Sequence, residues 1–126
     1  MAYRTPLARV RGLGSAKEGA GHFWRQRLTA VANIFLVAFL VWLLVTLAGE
    51  DHATVENALA QPHVAIPLLL LVLSGLVHMR LGMQTIIEDY VHAEGRKVAA
   101  LLLNTFFAIL VGTTSVFAVL KLSFGA

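Results

Sequence analysis

Three long apolar blocks separated by short polar stretches organise this chain. The first runs from about Phe23 to Ala48, and Ile34 to Ala48 within it is almost wholly apolar. The second runs from about Val64 to Val91, and the third from about Val98 to Leu122. Each is long enough to cross a bilayer core of about 30 Å at about 1.5 Å per residue. The predicted fold is therefore all-α: an integral membrane protein with three transmembrane helices. Residues 1–22 are polar and Gly-rich and read as an irregular or partly ordered arm, ahead of a single three-helix domain over 23–126. A secretory signal has a short leading region, whereas over 25 residues precede the continuous apolar run here, so the first block reads as a retained helix.

The stretches between the blocks carry the orientation. Gly49 to His63 is a polar connection holding Glu50, Asp51 and Glu56 but no Lys or Arg. Pro62 and Pro67 bracket the start of the second span, where a first helical turn tolerates proline. Ala93 to Lys97 is a short turn with Gly95, Arg96 and Lys97. The arm and the start of the first helix carry Arg4, Arg9, Arg11, Lys17, Arg25 and Arg27, while the C-terminal tail has only Lys121. Both basic flanks fall on one side of a three-span chain. Basic loops stay inside, so the N-terminus is expected in the cytoplasm and the C-terminus on the opposite side.

Composition agrees. Of 126 residues, 58% are hydrophobic and only 13% charged, and the mean hydropathy is +0.76. A soluble domain carries about 25% charge, so lipid is the expected solvent. A net charge of +3 and a pI near 9.8 do not point to nucleic acid, because the basic residues flank apolar spans. There is no cysteine, which excludes disulfides, thiolate metal sites and iron–sulfur ligation by this chain.

The candidate chemistry lies in the second span. At about 100° per residue, Ser74, His78, Gly82, Thr85 and Asp89 fall within about 40° of one line. That polar or small line is not suited to lipid. Arg80, Gln84 and Glu88 form a second polar line on nearly the opposite side. A helix polar on two faces is expected to be enclosed, and three spans offer little to enclose it, which implies partner subunits. His78 has two readings. It is a neutral histidine bonded to a neighbouring helix, or it is an axial ligand of haem iron, with Gly82 one turn on leaving room for a porphyrin face. His22, His52, His63 and His92 lie outside the spans or at their ends, so a second axial ligand would have to come from another chain. Asp89 and Tyr90 lie roughly 16 Å along the helix from His78. They are ordinary interfacial residues, or part of a quinone site in which the Tyr hydroxyl donates to a carbonyl oxygen and the carboxylate orients it or relays protons. Arg80 is expected to snorkel or to pair within a complex. Asn104, Thr113, Thr114 and Ser115 are assigned to packing.

The run from His78 to His92, HMRLGMQTIIEDYVH, resembles the signature of the small hydrophobic membrane anchors of the succinate dehydrogenase (complex II) family. Those anchors show a histidine, then G-x-Q, then Asp-Tyr-Val, with the histidine eleven residues before the Asp, as His78 stands to Asp89. The segment His22 to Ala30 is similar to the family's first-helix start. The resemblance implies that His78 is an axial ligand of haem b, with the second ligand supplied by a cytochrome b-type membrane subunit that pairs with the anchor. It implies that Arg27 and His22 lie near the haem propionates, and that Tyr90 and Asp89 belong to the ubiquinone site. Flavin (FAD) and iron–sulfur clusters are then confined to a flavoprotein and an iron–sulfur subunit that this chain anchors, and Arg80 acquires no role. The implied location is the bacterial cytoplasmic (inner) membrane, in preference to the mitochondrial inner membrane. Two other readings stay open: a haem-free anchor of a fumarate reductase, and a non-redox transporter or assembly protein.

Overall fold

Backbone amides in hydrocarbon find no water, so apolar blocks of this length cross a bilayer as helices. The computed structural model has three such helices and describes residues 5–12 and 19–125. A five-residue helix, α1 (Pro6–Val10), precedes the first span. The spans are α2 (Gly19–Leu47), α4 (Pro62–Tyr90) and α5 (Glu94–Phe124), and α3 (His52–Ala60) joins the first two. No strand occurs among the described residues. Arg4 and Lys17, two of the basic residues assigned to the cytoplasmic side, lie outside them, as does the side chain of Arg9.

The three spans hold 29, 29 and 31 residues. A perpendicular crossing needs about 20. The apolar blocks therefore understate the helices, each of which begins ahead of its block. α2 starts within the polar segment at Gly19. α4 starts at Pro62, which occupies the first helical position, where its missing N–H costs nothing. Pro67 consequently lies inside the helix and not at its threshold. α5 starts at Glu94, an acidic residue suited to the positive end of a helix dipole, and carries Lys121 in its last turn. It closes on Gly125 at φ +61°, whose N–H donates to the Lys121 carbonyl at 3.1 Å.

The first connection is more ordered than its polarity suggests. After α2 the chain turns through Gly49 at φ +90°, a conformation open to glycine. Asp51 then caps α3, accepting from the Thr54 N–H at 3.0 Å. The hydrogen bonds from Thr54 hold the Asp51 carboxyl below its ordinary value.

α4 is the middle of the bundle, packing on α2 along one side and α5 along another, while α3 rests on α4 and α5. Of the six buried apolar residues among the described ones, Val64, Ala65, Leu81 and Ile87 belong to α4, with Leu43 from α2 and Ala108 from α5. The outer faces remain apolar and uncovered, as at Phe35 (72% exposed), Leu110 (67%) and Phe117 (66%). Surfaces of this kind suit lipid or another membrane chain.

Candidate functional site

α2 carries a polar stripe of its own. His22, Gln26, Thr29 and Asn33 follow one another at helical spacings of four, three and four, so they share one face. Ser74, His78 and Gly82 of α4 meet that face. The Thr29 hydroxyl lies 3.2 Å from His78 Nδ1, and the Ser74 hydroxyl approaches the Thr29 carbonyl at 3.5 Å. A Cβ on Gly82 would stand 3.2 Å from Gln26 Nε2, so the space over this glycine is taken by Gln26 and not left open.

Arg80, from the second polar line of α4, meets α5. Arg80 Nε donates to Thr105 Oγ1 at 3.4 Å, and Asn104 Nδ2 donates to the Arg80 carbonyl at 3.0 Å. Gln84 Nε2 donates to Glu88 Oε1 at 2.8 Å. Arg80 and Glu88 stay exposed beside these contacts, so α2 and α5 leave part of this polar surface uncovered.

Toward the ends of the helices at Gly19 and Tyr90, the α2–α4 seam opens into a cleft of about 810 Å³. Its walls include His22, Gln26, Arg27, His78, Thr85 and Glu88. This volume falls within the roughly 300–1,000 Å³ of cofactor and ligand pockets. His78 is thus brought together with Arg27 and His22, from which it is far in sequence. The Arg27 guanidinium also lies over the Phe23 ring at 4.6 Å. Three side-chain atoms of the α2 stripe are buried with no hydrogen-bond partner: His22 Nε2, Gln26 Oε1 and Asn33 Oδ1. An unpartnered buried polar group costs about 1–3 kcal/mol. Two of these atoms are amide oxygens, which accept, and the third is a ring nitrogen that can donate or accept.

Tyr90 and Asp89 stand apart from this cleft. Tyr90 ends α4 with 77% of its surface exposed and lines a smaller pocket of about 360 Å³ with Val91, His92, Ala93, Arg96 and Ala100. His92 Nδ1 lies 3.1 Å from the Tyr90 carbonyl, which can only accept, so the ring donates there. Asp89 is exposed and lines neither pocket.

Comparison with known proteins decides the family. The family described as succinate dehydrogenase/fumarate reductase transmembrane subunit matches residues 1–112. The chain belongs to this family. It is 31% identical over 108 residues to the succinate dehydrogenase hydrophobic membrane anchor subunit of Rickettsia bellii, covering 86% of each chain. It is 31% identical over 126 residues to the protein of the same name from Paracoccus denitrificans, covering 100% of this chain and 97% of that one. The succinate dehydrogenase membrane anchor subunit of Reclinomonas americana is 29% identical over 96 residues, which is 74% of this chain and 80% of its own. No solved structure gives a significant match. As a succinate dehydrogenase-type membrane anchor, the chain is a membrane-spanning part of an oxidoreductase complex.

Sequence reasoning about this family member passed over Thr29, Gln26 and Asn33. Their signal was present in the four-three-four spacing of polar residues along an otherwise apolar helix. It also read His92 and Arg96 only as flanking residues, although the signature run itself ends on His92.

Proposed function

We propose that this chain anchors a succinate:ubiquinone oxidoreductase in the bacterial cytoplasmic membrane, supplies one axial ligand of haem b, and forms one wall of the ubiquinone-reduction site. The observation that carries the haem reading is the state of His78. It lines a cofactor-sized cleft, its Nδ1 is engaged by Thr29, and no hydrogen bond occupies its Nε2 among the described residues. The orphaned Nε2 of His22 and the guanidinium of Arg27 in the same cleft suit carboxylate groups such as haem propionates. The residues present therefore fit the group. When bound, a haem of this kind supplies one-electron chemistry. His78 would hold its iron from one side, and the cytochrome b-type membrane subunit would hold it from the other.

Tyr90 carries the quinone reading. Reduction of ubiquinone takes up two electrons and two protons. A hydroxyl donating to a quinone carbonyl polarises it and favours charge arriving on that oxygen. Tyr90 is exposed at the end of α4 beside His92 and Arg96, where water can replenish protons. Asp89 assists from the next position as a proton relay. The electrons arise from succinate at a flavin in one peripheral protein and pass through iron–sulfur clusters in another. In the proposed orientation, residues 1–22 form a cytoplasmic arm before the transmembrane domain of 23–126. The α4–α5 turn lies on the same side, and the C-terminus on the other.

The purified complex tests this reading. A reducible b-type spectrum is expected in the parent and an altered or absent one in His78→Ala. Tyr90→Phe is expected to lower succinate–quinone reductase activity while sparing succinate oxidation by an artificial acceptor. A parent complex without haem absorbance would remove the ligand assignment. Equal loss of both activities in Tyr90→Phe would make that residue structural.

A further inference from the structure

We infer that Thr29 is a positioning residue that sets the tautomer of His78, so that Nε2 carries the lone pair a metal requires; the inference rests on the haem reading above. Thr29 Oγ1 has three polar neighbours: the Arg25 carbonyl at 2.8 Å, the Gln26 carbonyl at 3.1 Å and His78 Nδ1 at 3.2 Å. A hydroxyl has one hydrogen to give, and a carbonyl can only accept. The hydrogen therefore goes to the nearest carbonyl, the back-bond to residue i−4 that threonine commonly makes in a helix. The oxygen then turns a lone pair toward His78. Only a ring protonated at Nδ1 can use it.

A neutral imidazole bears one N–H, so a proton at Nδ1 leaves Nε2 free to ligate. The reverse arrangement would send the Thr29 hydrogen along the longest of its three contacts and leave the shortest unused. It would also place a proton on Nε2, which no iron could then take. Thr29 and His78 are 49 residues apart, and theirs is the one side-chain to side-chain hydrogen bond between α2 and α4 among the described residues. α2 thus acts on the ligand of α4, holding the ring in one orientation and one protonation pattern.

An acceptor on the far nitrogen of a ligating histidine also raises its basicity. A more basic ligand favours ferric iron over ferrous and lowers the midpoint potential. Removing the acceptor should raise that potential.

The test is redox titration of the haem in the purified four-subunit complex, with haem content measured per flavin. Thr29→Val keeps the shape but removes the oxygen. It is expected to lower haem content and to shift the midpoint potential upward. Thr29→Ser restores the hydroxyl and is expected to return both to the parent values. Parent-like content and potential in Thr29→Val would overturn the inference. If Thr29→Val holds no haem at all, Thr29→Ser decides: recovery supports the inference, and continued loss overturns it. Failure of the haem reading looks different, since the parent complex itself would then lack haem or His78→Ala would keep an unchanged spectrum.

Discussion

Gly112 of α5 lies directly against Leu76 of α4: a Cβ built at position 112 would stand 2.9 Å from Leu76 Cδ1. The two helices approach here because one of them has no side chain. Small residues at such crossings let helices pack closely in lipid, where no hydrophobic effect draws them together.

Size at position 112 should therefore set the strength of the α4–α5 contact. The atom in the way is the far end of a flexible side chain, so Leu76 can turn aside from a single methyl. Gly112→Ala also gains about 0.5–1 kcal/mol from the lower backbone freedom of alanine. It should unfold close to the parent. Gly112→Leu has no such escape and should cost about 1–3 kcal/mol, as overpacked cores do. Thermal unfolding of the detergent-solubilised complex measures both, and equal stability of the two variants would show that the contact gives way freely.

A polar contact joins the same two helices. Asn104 donates to the Arg80 carbonyl at 3.0 Å, whereas Thr105 accepts from Arg80 Nε at 3.4 Å. Interhelical hydrogen bonds in membranes contribute about 0.6 kcal/mol on average and up to about 1.7. Asn104→Ala should fall toward the upper part of that range, and Thr105→Val near the lower part, because the second contact is long. Unfolding in graded denaturing detergent ranks them. A larger loss for Thr105→Val would mean that the Arg80 guanidinium, and not its carbonyl, joins the helices.

Outside the spans, the cap of α3 depends on pH. Hydrogen bonds from Thr54 hold Asp51 below its ordinary value, so folded α3 prefers the ionised carboxylate. For a depressed carboxyl the stabilisation is fully present above the unfolded-state value and is lost as pH falls through the lowered folded-state value. The first turn of α3 should therefore stay capped at neutral pH and fray in acid. Hydrogen exchange at the Thr54 amide reads this directly. Asp51→Ala should exchange quickly at every pH, and the parent should approach it only in acid. Protection that ignores pH would assign the cap to something other than the carboxylate.

Much of the architecture was legible because a bilayer leaves a chain few choices. Long apolar runs cannot leave amides unpaired in hydrocarbon, so Ile34 to Ala48 or Leu68 to Leu73 predicts a helix whatever surrounds it. Helix ends were less legible, since Gly19 to His22 and Glu94 to Lys97 are polar and helical together. α3 was missed for a similar reason: its nine residues lie in an acidic connection without a long apolar run, although Asp51 marked its start.

By itself the sequence determined the three spans, the angular placement of His78, Gly82 and Asp89 on the second, and the family signature that ends on Tyr90-Val91-His92. Each follows from composition and a period of about 3.6 residues, which act within one segment. Tertiary structure alone decided what those residues meet. It set Thr29 against His78 and Gln26 over Gly82, drew Arg27 and His22 into the His78 cleft, and left Tyr90 in a different pocket. Periodicity says which way a side chain leaves its helix. The neighbour waiting there depends on the crossing of two helices whose facing residues stand some fifty positions apart, and no local pattern carries that information.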